Sequence, residues 1–262
     1  MIMDRFRLTD KVAIVTGAGR GIGRGIALGF AEAGAHLVCA ARTLEQIEAT
    51  AEQVRGFGSR ALAIPCDVTQ RAQLENVVAQ TMKEFGRIDI LVNNAGGSPP
   101  RAALRTSERM FDEAFRFNVS SAFLLSRFCI PHMLEQEGGV ILNISSGLSW
   151  LVEKGFVAYG TAKAALSHMT RLLAHEFAPR VRVNALAVGA VATDALAPFL
   201  ENEEMREKLA STTPMGRIGT VEDIAAAALY LSSPAASWVT GKVYEVDGGT
   251  VASNWPLEFP AV

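Results

Sequence analysis

The eight residues T-G-A-G-R-G-I-G (16–23) lie between an apolar run, V-A-I-V-T (12–16), and a helical pattern. Glycine tolerates positive φ and lets a phosphate approach the backbone closely, while a helix N-terminus offers free N–H groups and a partial positive charge. The spacing G-x-x-x-G-x-G, through Gly17, Gly21 and Gly23, matches neither G-x-G-x-x-G nor a P-loop, which would end in G-K-[ST]. The stretch predicts a phosphate-binding turn between the first strand and the first helix.

Short apolar runs alternate with longer helical patterns along the rest of the chain. The runs are mostly apolar without alternation, as expected of strands covered on both faces. Strand then helix, repeated, predicts an α/β fold with a parallel sheet, right-handed crossovers and helices on both faces, in one domain over residues 1–262. The predicted strands are 12–16, 36–41, 61–65, 88–93, 140–145, 181–186 and 242–246, and the predicted helices are 22–33, 44–56, 70–85, 107–135, 157–178 and 221–232.

The composition favours a soluble cytoplasmic protein. Lys and Arg number 25 against 27 Asp and Glu, a balance that predicts neither nucleic acid nor an anionic membrane as partner. Cys39, Cys66 and Cys129 are isolated in sequence, which is typical of buried core residues and predicts no disulfide framework and no metal site. No apolar run approaches the roughly 18 residues of a membrane span, and the first residues lack a signal-peptide pattern.

The second predicted strand ends in a cation. An NAD site usually places Asp or Glu about 20 residues after the glycine turn, where the acid binds the ribose 2′-hydroxyl. Here the strand ends A-A-R (40–42), and the first acid is Glu45. Arginine binds phosphate in a bidentate manner, so Arg42, with Arg20 as a second cation, predicts NADP(H) rather than NAD(H). The alternative is that both arginines are simply solvated.

Four further signals are weak alone and specific together. N-N-A-G (93–96) ends the fourth predicted strand, Asn118 interrupts a helical pattern in which Asn is a poor helix former, N-I-S-S (143–146) ends the fifth strand, and Y-G-T-A-K (159–163) opens the next helix. With the glycine turn, Asp67-Val68 and V-D-G-G (246–249), these motifs make the sequence resemble the short-chain dehydrogenase/reductase family, from about residue 8 to residue 250.

The resemblance implies a Rossmann-type three-layer sandwich with a seven-stranded parallel sheet in the order 3-2-1-4-5-6-7, a nicotinamide cofactor and usually a homotetramer. It implies a catalytic group of Asn118, Ser146, Tyr159 and Lys163, in which Lys163 also holds the nicotinamide ribose and Asn118 bends its helix and holds a water that links Lys163 to solvent. Val188 stands where proline is usual, which loosens one backbone constraint. The expected cofactor-binding residues are Gly17, Gly19, Arg20, Gly21, Ile22, Gly23, Arg42, Asp67, Val68, Asn94, Ala95, Gly96, Tyr159, Lys163, Gly189, Val191 and Thr193.

The chemistry of these residues can be argued separately. Hydride transfer to a ketone leaves negative charge on the oxygen, which must gain a proton. A tyrosine can supply it, but its ordinary pKa near 10 is far from neutral. One helical turn places the Lys163 ammonium on the same face as Tyr159, so the cation is expected to lower the pKa of the phenol towards the working pH. Ser146 is expected to donate a hydrogen bond to the developing oxyanion.

Substrate is expected beyond the carboxyl ends of the strands. The apolar residues there predict a bulky apolar carbonyl or alcohol, or else packing against the body or a neighbouring subunit. Residues 193–215 are expected to form a lid, and the apolar tail at 254–262 is expected to pack on a neighbouring subunit, unless it is a loose end. The expected substrate residues are Trp150, Phe156, Leu196 and Phe199.

Four alternatives frame the functional prediction. N-N-A-G-G-x-P, T-D-A-L (193–196) and S-P-A-A-S-W-V (233–239) resemble bacterial 7α-hydroxysteroid dehydrogenases, which makes hydroxysteroids candidate substrates. 3-Oxoacyl-carrier-protein reductases come second, because their usual R-D-x-L-x-x-R-M continuation reads G-S-P-P-R-A-A-L here. A non-enzymatic dinucleotide sensor would be expected to lack the tyrosine or the lysine, and a methyltransferase would want an acid at the end of the second strand.

Overall fold

The computed structural model describes residues 1–194 and 196–256, apart from the side chains of Pro198 and Phe199. Within that part of the chain, seven strands form one parallel sheet in the order β3-β2-β1-β4-β5-β6-β7, as predicted. The strands are β1 (Val12–Thr16), β2 (His36–Ala41), β3 (Ala61–Pro65), β4 (Ile90–Asn93), β5 (Gly139–Ser146), β6 (Val181–Val188) and β7 (Val243–Val246). The order reverses at β1 and β4, so the ends of these two strands form the crevice where such sheets bind ligands.

Helices connect the strands and pack on both faces of the sheet. Two clusters of buried apolar side chains, one on each face, form the core, and β1 is buried along its whole length. The helices are α1 (Gly21–Glu32), α2 (Leu44–Gly56), α3 (Arg71–Phe85), α4 (Glu108–Phe115), α5 (Ser121–Glu135), α6 (Val157–Phe177), α7 (Ala197–Leu200), α8 (Glu203–Ser211) and α9 (Val221–Ser232). Among the described residues, no helix is both long enough and apolar enough to span a membrane.

Three regions near the ligand crevice differ from the sequence prediction. The helix expected over 107–135 is divided by a π-helical turn at Arg116–Ser120, which joins α4 to α5. Strand β6 continues to Val188, in register with Ser146 of β5, because valine keeps the backbone N–H that a proline would lack. Two helices, α7 and α8, occupy the segment that was predicted only as a lid between a strand and a helix.

Asp89 joins the first residues of β1 and β4, at the end of the sheet opposite the ligand crevice. We expect it to contribute strongly to the free energy of unfolding. Its carboxylate is only 5% exposed and accepts hydrogen bonds from Arg87 at 2.6 and 2.7 Å and from the Val12 N–H at 2.9 Å. Asp89→Asn should lower the free energy of unfolding by about 2–3 kcal/mol at about pH 7, because it leaves the Arg87 charge with a neutral partner. Chemical denaturation measures the loss.

The pH dependence gives a sharper test of the same contact. Burial raises the pKa of Asp89, but the hydrogen bonds from Arg87 and Val12 and the charges of Lys11 and Arg87 outweigh it, so the pKa lies below its ordinary value. A lowered carboxyl pKa stabilises the fold above the unfolded value, near 3.9, and this contribution is lost as the pH falls below it. The difference between wild type and Asp89→Asn should therefore shrink at about pH 3. Glu75→Gln, which breaks only the exposed pair with Arg71, should change stability by less than about 0.5 kcal/mol.

Candidate active site

The glycine turn joins β1 to α1 without room for side chains. Gly17 and Gly21 have φ of 66° and 52°, in the left-handed region that favours glycine. A Cβ on Gly23 would lie 2.2 Å from the Gly17 carbonyl oxygen and 2.5 Å from the Asn94 amide nitrogen. The turn is therefore closed tightly, and its bare backbone leads straight into the N-terminus of α1.

Thr16 and Asn94 tie this turn to the end of β4. The Thr16 hydroxyl accepts hydrogen bonds from the N–H groups of Asn94 and Ala95, both at 3.0 Å. The Asn94 side-chain amide donates in return to the Thr16 carbonyl at 2.8 Å. The Asn94 side chain thus positions the glycine turn. Thr16 was not singled out from the sequence, although its place at the end of β1 made it a candidate.

The end of β2 brings a cation close to an acid at the end of β3. Arg42 is exposed, and its charge is one of the causes that lower the pKa of Asp67, after the dominant hydrogen bond from the Thr69 backbone. The Asp67 carboxylate also accepts from the Thr69 hydroxyl at 2.8 Å, while Val68 is buried in the core. Arg42 and Asp67 therefore border one edge of the crevice.

The beginning of the predicted lid faces the glycine turn. The Arg20 guanidinium lies 3.9 Å from the Asp194 carboxylate, and both side chains are well exposed. A Cβ on Gly21 would lie 3.4 Å from the Thr193 methyl group. The chain before this point is held by β7, because the Gly189 N–H donates to the Val246 carbonyl at 3.1 Å, and Val191 forms a parallel bridge with Gly219.

Ser146, Tyr159 and Lys163 converge at the end of β5 and the first turns of α6. The Ser146 hydroxyl accepts from the Leu148 N–H at 3.2 Å, so its own proton is left to donate elsewhere. The Lys163 ammonium is 4% exposed, donates to the Ile144 carbonyl at 2.7 Å and lies 5.7 Å from the centre of the Tyr159 ring. The sequence predicted this grouping.

Asn118 lies in the π-helical turn and points at the N-N-A-G segment. Its side-chain oxygen accepts from the Gly97 N–H at 2.8 Å, and its nitrogen donates to the carbonyls of Gly97 and Ala114 at 2.9 and 2.8 Å. A Cβ on Gly96 would lie 2.6 Å from that oxygen and 3.0 Å from the Lys163 nitrogen. Gly96 therefore lets Asn118 and Lys163 approach the same point.

Burial dominates the acidity of the central pair. It raises the pKa of the Tyr159 hydroxyl, and a hydrogen bond with Ser146 opposes the rise. Burial also lowers the pKa of Lys163 to about 8. The expectation that Lys163 brings the pKa of Tyr159 below its ordinary value is therefore wrong for the protein alone, because both groups lose their hydration and the ammonium is engaged by the Ile144 carbonyl.

Two buried serine hydroxyls lie beside the backbone of Lys163. The Ser145 hydroxyl donates to the Lys163 carbonyl at 3.2 Å and lies 2.8 Å from the Ser167 hydroxyl. Sequence reasoning missed both serines. The available signal was spacing, since Ser167 lies four residues after Lys163 on the same helix face.

Two aromatic rings extend from Tyr159 on the side that the sequence predicts to face the substrate, Phe156 against Tyr159 and Trp255 against Phe156. Phe156 is 7% exposed, and its ring lies 6.1 Å from the Tyr159 ring at 61°. Trp255 of the C-terminal tail packs edge-on against Phe156 of its own chain, with ring centres 4.9 Å apart. The sequence predicted that this tail packs on a neighbouring subunit, and that stays a prediction. Trp150 is 48% exposed and Leu196 is partly buried. The Phe199 side chain and residues 257–262 lie outside the described part of the chain.

The arrangement fits a dinucleotide. At Gly17 and Gly23 of the turn, a Cβ atom would collide with neighbouring atoms, so the backbone there is bare. The N-terminus of α1 points into the crevice. Arg42 and Asp67 lie at the far edge of the crevice. Phosphates would lie on the turn, and the ring end would reach Tyr159 and Lys163.

Comparisons with known proteins agree with this geometry. A family model described as enoyl-(acyl carrier protein) reductase matches residues 17–251. An uncharacterized oxidoreductase of Mycobacterium tuberculosis is 48% identical over 99% of each chain. The 7α-hydroxysteroid dehydrogenase of Escherichia coli is 40% identical over 95% of this chain and 97% of its own. The chain belongs to the short-chain dehydrogenase/reductase family.

Solved structures of this family extend the likeness to ligand-bound states. A 7α-hydroxysteroid dehydrogenase complexed with NADH and 7-oxo glycochenodeoxycholic acid has a TM-score of 0.91 at 40% identity, covering 95% of this chain and 97% of that one. A gluconate 5-dehydrogenase of Burkholderia cenocepacia in complex with NADP and tartrate has a TM-score of 0.89 at 32% identity, covering 95% and 98%. As a short-chain dehydrogenase/reductase, the protein is an oxidoreductase acting on CH–OH groups.

Proposed function

We propose that the protein interconverts a bulky apolar ketone and its secondary alcohol with NADP(H), with Tyr159 as general acid and base. The observation that carries the proposal is the cluster in which Ser146 is hydrogen-bonded to the Tyr159 hydroxyl and the buried Lys163 ammonium lies 5.7 Å from the centre of the Tyr159 ring. A dinucleotide sensor would have no use for a buried ammonium beside a partly buried phenol.

The chain's own groups hold the substrate oxygen and move its proton. When bound, the nicotinamide cofactor supplies or accepts the hydride. The Ser146 hydroxyl accepts a hydrogen bond from the Leu148 N–H, which leaves its own proton to donate to the substrate carbonyl oxygen and to stabilise the charge that develops there. Tyr159 gives that oxygen a proton, and its raised pKa keeps it protonated near neutral pH, as reduction requires.

Lys163 and Asn118 complete the group. The Lys163 ammonium stabilises the tyrosinate that forms when the proton leaves, and it is placed to hold the nicotinamide ribose. The Asn118 side chain is hydrogen-bonded to Gly97 and Ala114, and we expect the backbone of the π-helical turn to hold a water that links Lys163 to solvent. The Asn118 amide instead fixes the position of N-N-A-G.

The cofactor preference is argued from the edge of the crevice. Solved relatives bind NADH or NADP, so family membership leaves the choice open. In this chain Arg42 follows β2 directly, where NAD sites usually place an acid, and Arg20 lies in the glycine turn. Both arginines are exposed and offer the planar donors that suit a 2′-phosphate. These features favour NADP(H).

Arg42→Ala should lower kcat/KM for NADPH by about tenfold to a hundredfold while changing kcat/KM for NADH by less than about threefold, because only the 2′-phosphate loses its charged hydrogen bonds. Steady-state kinetics with each cofactor measures the ratio. Arg55→Ala is the matched control, since Arg55 lies at the other end of α2 and pairs with Glu52. If the ratio of kcat/KM for NADPH to kcat/KM for NADH were the same in wild type and in Arg42→Ala, the assignment of NADP(H) would be contradicted.

The loops around Tyr159 support an apolar substrate. The Arg101 N–H donates to the Gly155 carbonyl at 2.7 Å, which joins segment 97–106 to segment 147–157 as one wall. That wall exposes Leu104 and Val152 almost completely. Exposed apolar side chains beside a reactive centre favour an apolar ligand, and the Escherichia coli relative, a hydroxysteroid dehydrogenase, gives a class to try first.

A screen of NADPH oxidation tests the proposal. Ketosteroids, quinones, 3-oxoacyl thioesters, short sugars and simple ketones are supplied in turn, with NADH in parallel. Turnover that is fastest with a ketosteroid or another large apolar ketone supports the proposal. Preference for the thioester would favour the second candidate, an acyl-carrier-protein reductase, and activity confined to short sugars would refute an apolar pocket.

We also infer that the protein assembles as a homotetramer. Strand β7 ends the sheet, so one of its edges has no strand partner within the described chain. Trp238 and Val251 near that edge are highly exposed, and Tyr244 within β7 is partly exposed. An open strand edge with exposed apolar side chains favours coverage by another copy, and the number of four copies is taken from the family resemblance.

A further inference from the structure

The C-terminal tail reaches the reactive tyrosine through one intervening ring. Trp255 meets Phe156 at 4.9 Å with an interplanar angle of 82°, an edge-on geometry that aromatic pairs favour. Phe156 in turn contacts Tyr159 and is almost fully buried. The Phe156 ring, which contacts the Tyr159 ring, is thus covered on one side by a residue of the C-terminal tail.

The tail is fastened to the lid by polar contacts. The Asn254 side-chain amide donates to the buried Thr213 hydroxyl at 3.1 Å. The Lys208 ammonium of α8 lies 3.5 Å from the Pro256 carbonyl and donates to it. Trp255 is therefore held between the lid on one side and the loop before α6 on the other, and its position follows from both.

We propose that Trp255 is a specificity-determining residue, which with Phe156 forms the wall against which the apolar body of the substrate lies. The proposal rests on the function proposed above. A small ketone reaches only Ser146 and Tyr159, whereas a large one extends from that point across the Phe156 ring towards the tail. Removing the indole should therefore weaken binding of a large ketone selectively.

The test compares Trp255→Ala and Trp255→Phe with wild type on two ketones, a ketosteroid and cyclohexanone. For Trp255→Ala we expect KM for the ketosteroid to rise by about tenfold with kcat nearly unchanged, because lost apolar contact in a pocket has about this effect. For cyclohexanone, kcat/KM should stay within about threefold of wild type. Trp255→Phe, which keeps an edge-on ring, should lie between.

The controls separate specificity from folding. Phe57→Ala removes a half-exposed ring at the end of α2, on the side of the sheet away from the crevice, and should leave both ketones unaffected. If Trp255→Ala fails to fold in a thermal melt, Trp255→Leu gives the same comparison with apolar volume kept. An equal change for both ketones, or no change for either, would overturn the inference alone. Failure of the wild-type protein to reduce either ketone would overturn the proposed function and the inference with it.

Discussion

Tyr159→Phe is expected to lower kcat for ketone reduction by about a thousandfold, within the range by which a positioned general acid accelerates a reaction. The substitution removes only the hydroxyl, so the ring keeps its contact with Phe156 and the fold should be unchanged. Cofactor affinity should stay within about threefold of wild type, since the glycine turn and Arg42 are untouched. Single-turnover kinetics together with fluorescence titration of NADPH measures both quantities.

The chain supplies a matched control for this substitution. Tyr244→Phe removes a partly exposed hydroxyl on β7, which β6 separates from β5, and should leave kcat within about twofold of wild type. If Tyr159→Phe retained a tenth or more of the wild-type turnover, another group would have to protonate the substrate oxygen and the proposed role of Tyr159 would be refuted.

Lys163→Met is expected to separate activity from stability. Methionine nearly matches the shape of lysine without its charge, so kcat/KM should fall by about a hundredfold or more as the tyrosinate loses its cation. The free energy of unfolding at about pH 7 should instead rise by about 1–2 kcal/mol, because an ammonium buried at 4% exposure disfavours folding by more than its hydrogen bond to Ile144 contributes. Denaturant unfolding and steady-state kinetics on the same samples measure the two effects.

The sign of the pH dependence follows from the lowered pKa of Lys163. Its folded value of about 8 lies below the unfolded value near 10.4, so between these values the unfolded chain binds more protons and wild-type stability gains with rising pH. Below about pH 8 Lys163 is protonated in the folded protein, and its buried charge lowers the free energy of unfolding by its full contribution. The stability advantage of Lys163→Met should therefore shrink between about pH 8 and pH 10. If Lys163→Met were less stable than wild type at about pH 8 and at about pH 10 alike, the ammonium would have to stabilise the fold.

The parts of this protein that follow periodicity were predictable, and those that depend on packing were not. The strand order came from the resemblance, and the apolar runs located β1 to β7 to within a few residues. The π-helical turn was only hinted at by Asn118, because a poor helix former does not say which hydrogen-bond spacing replaces the α-helical one. The continuation of β6 to Val188 depends on its pairing with Ser146, which no local pattern contains.

The sequence predicted which residues meet in the candidate active site better than it predicted their pKa values. Sequence spacing placed Lys163 one turn from Tyr159, and the structure keeps them together. The predicted direction of the Tyr159 pKa was wrong for the protein alone because burial is a property of the assembled core, and desolvation here exceeds the effect of the hydrogen bond with Ser146. Helix α8 did leave a signal that went unused, since Asn202 caps it and Glu203 and Glu204 occupy its first turn.

The Thr16 hydroxyl has a consequence for how the protein matures. It joins the first strand to Asn94, a partner 78 residues further along the chain. During synthesis the leading segment therefore leaves the ribosome long before the group that shapes its nucleotide cradle. Contacts between segments this far apart in sequence form slowly, so we expect the glycine turn to lack its Asn94 anchor until β4 has docked beside β1.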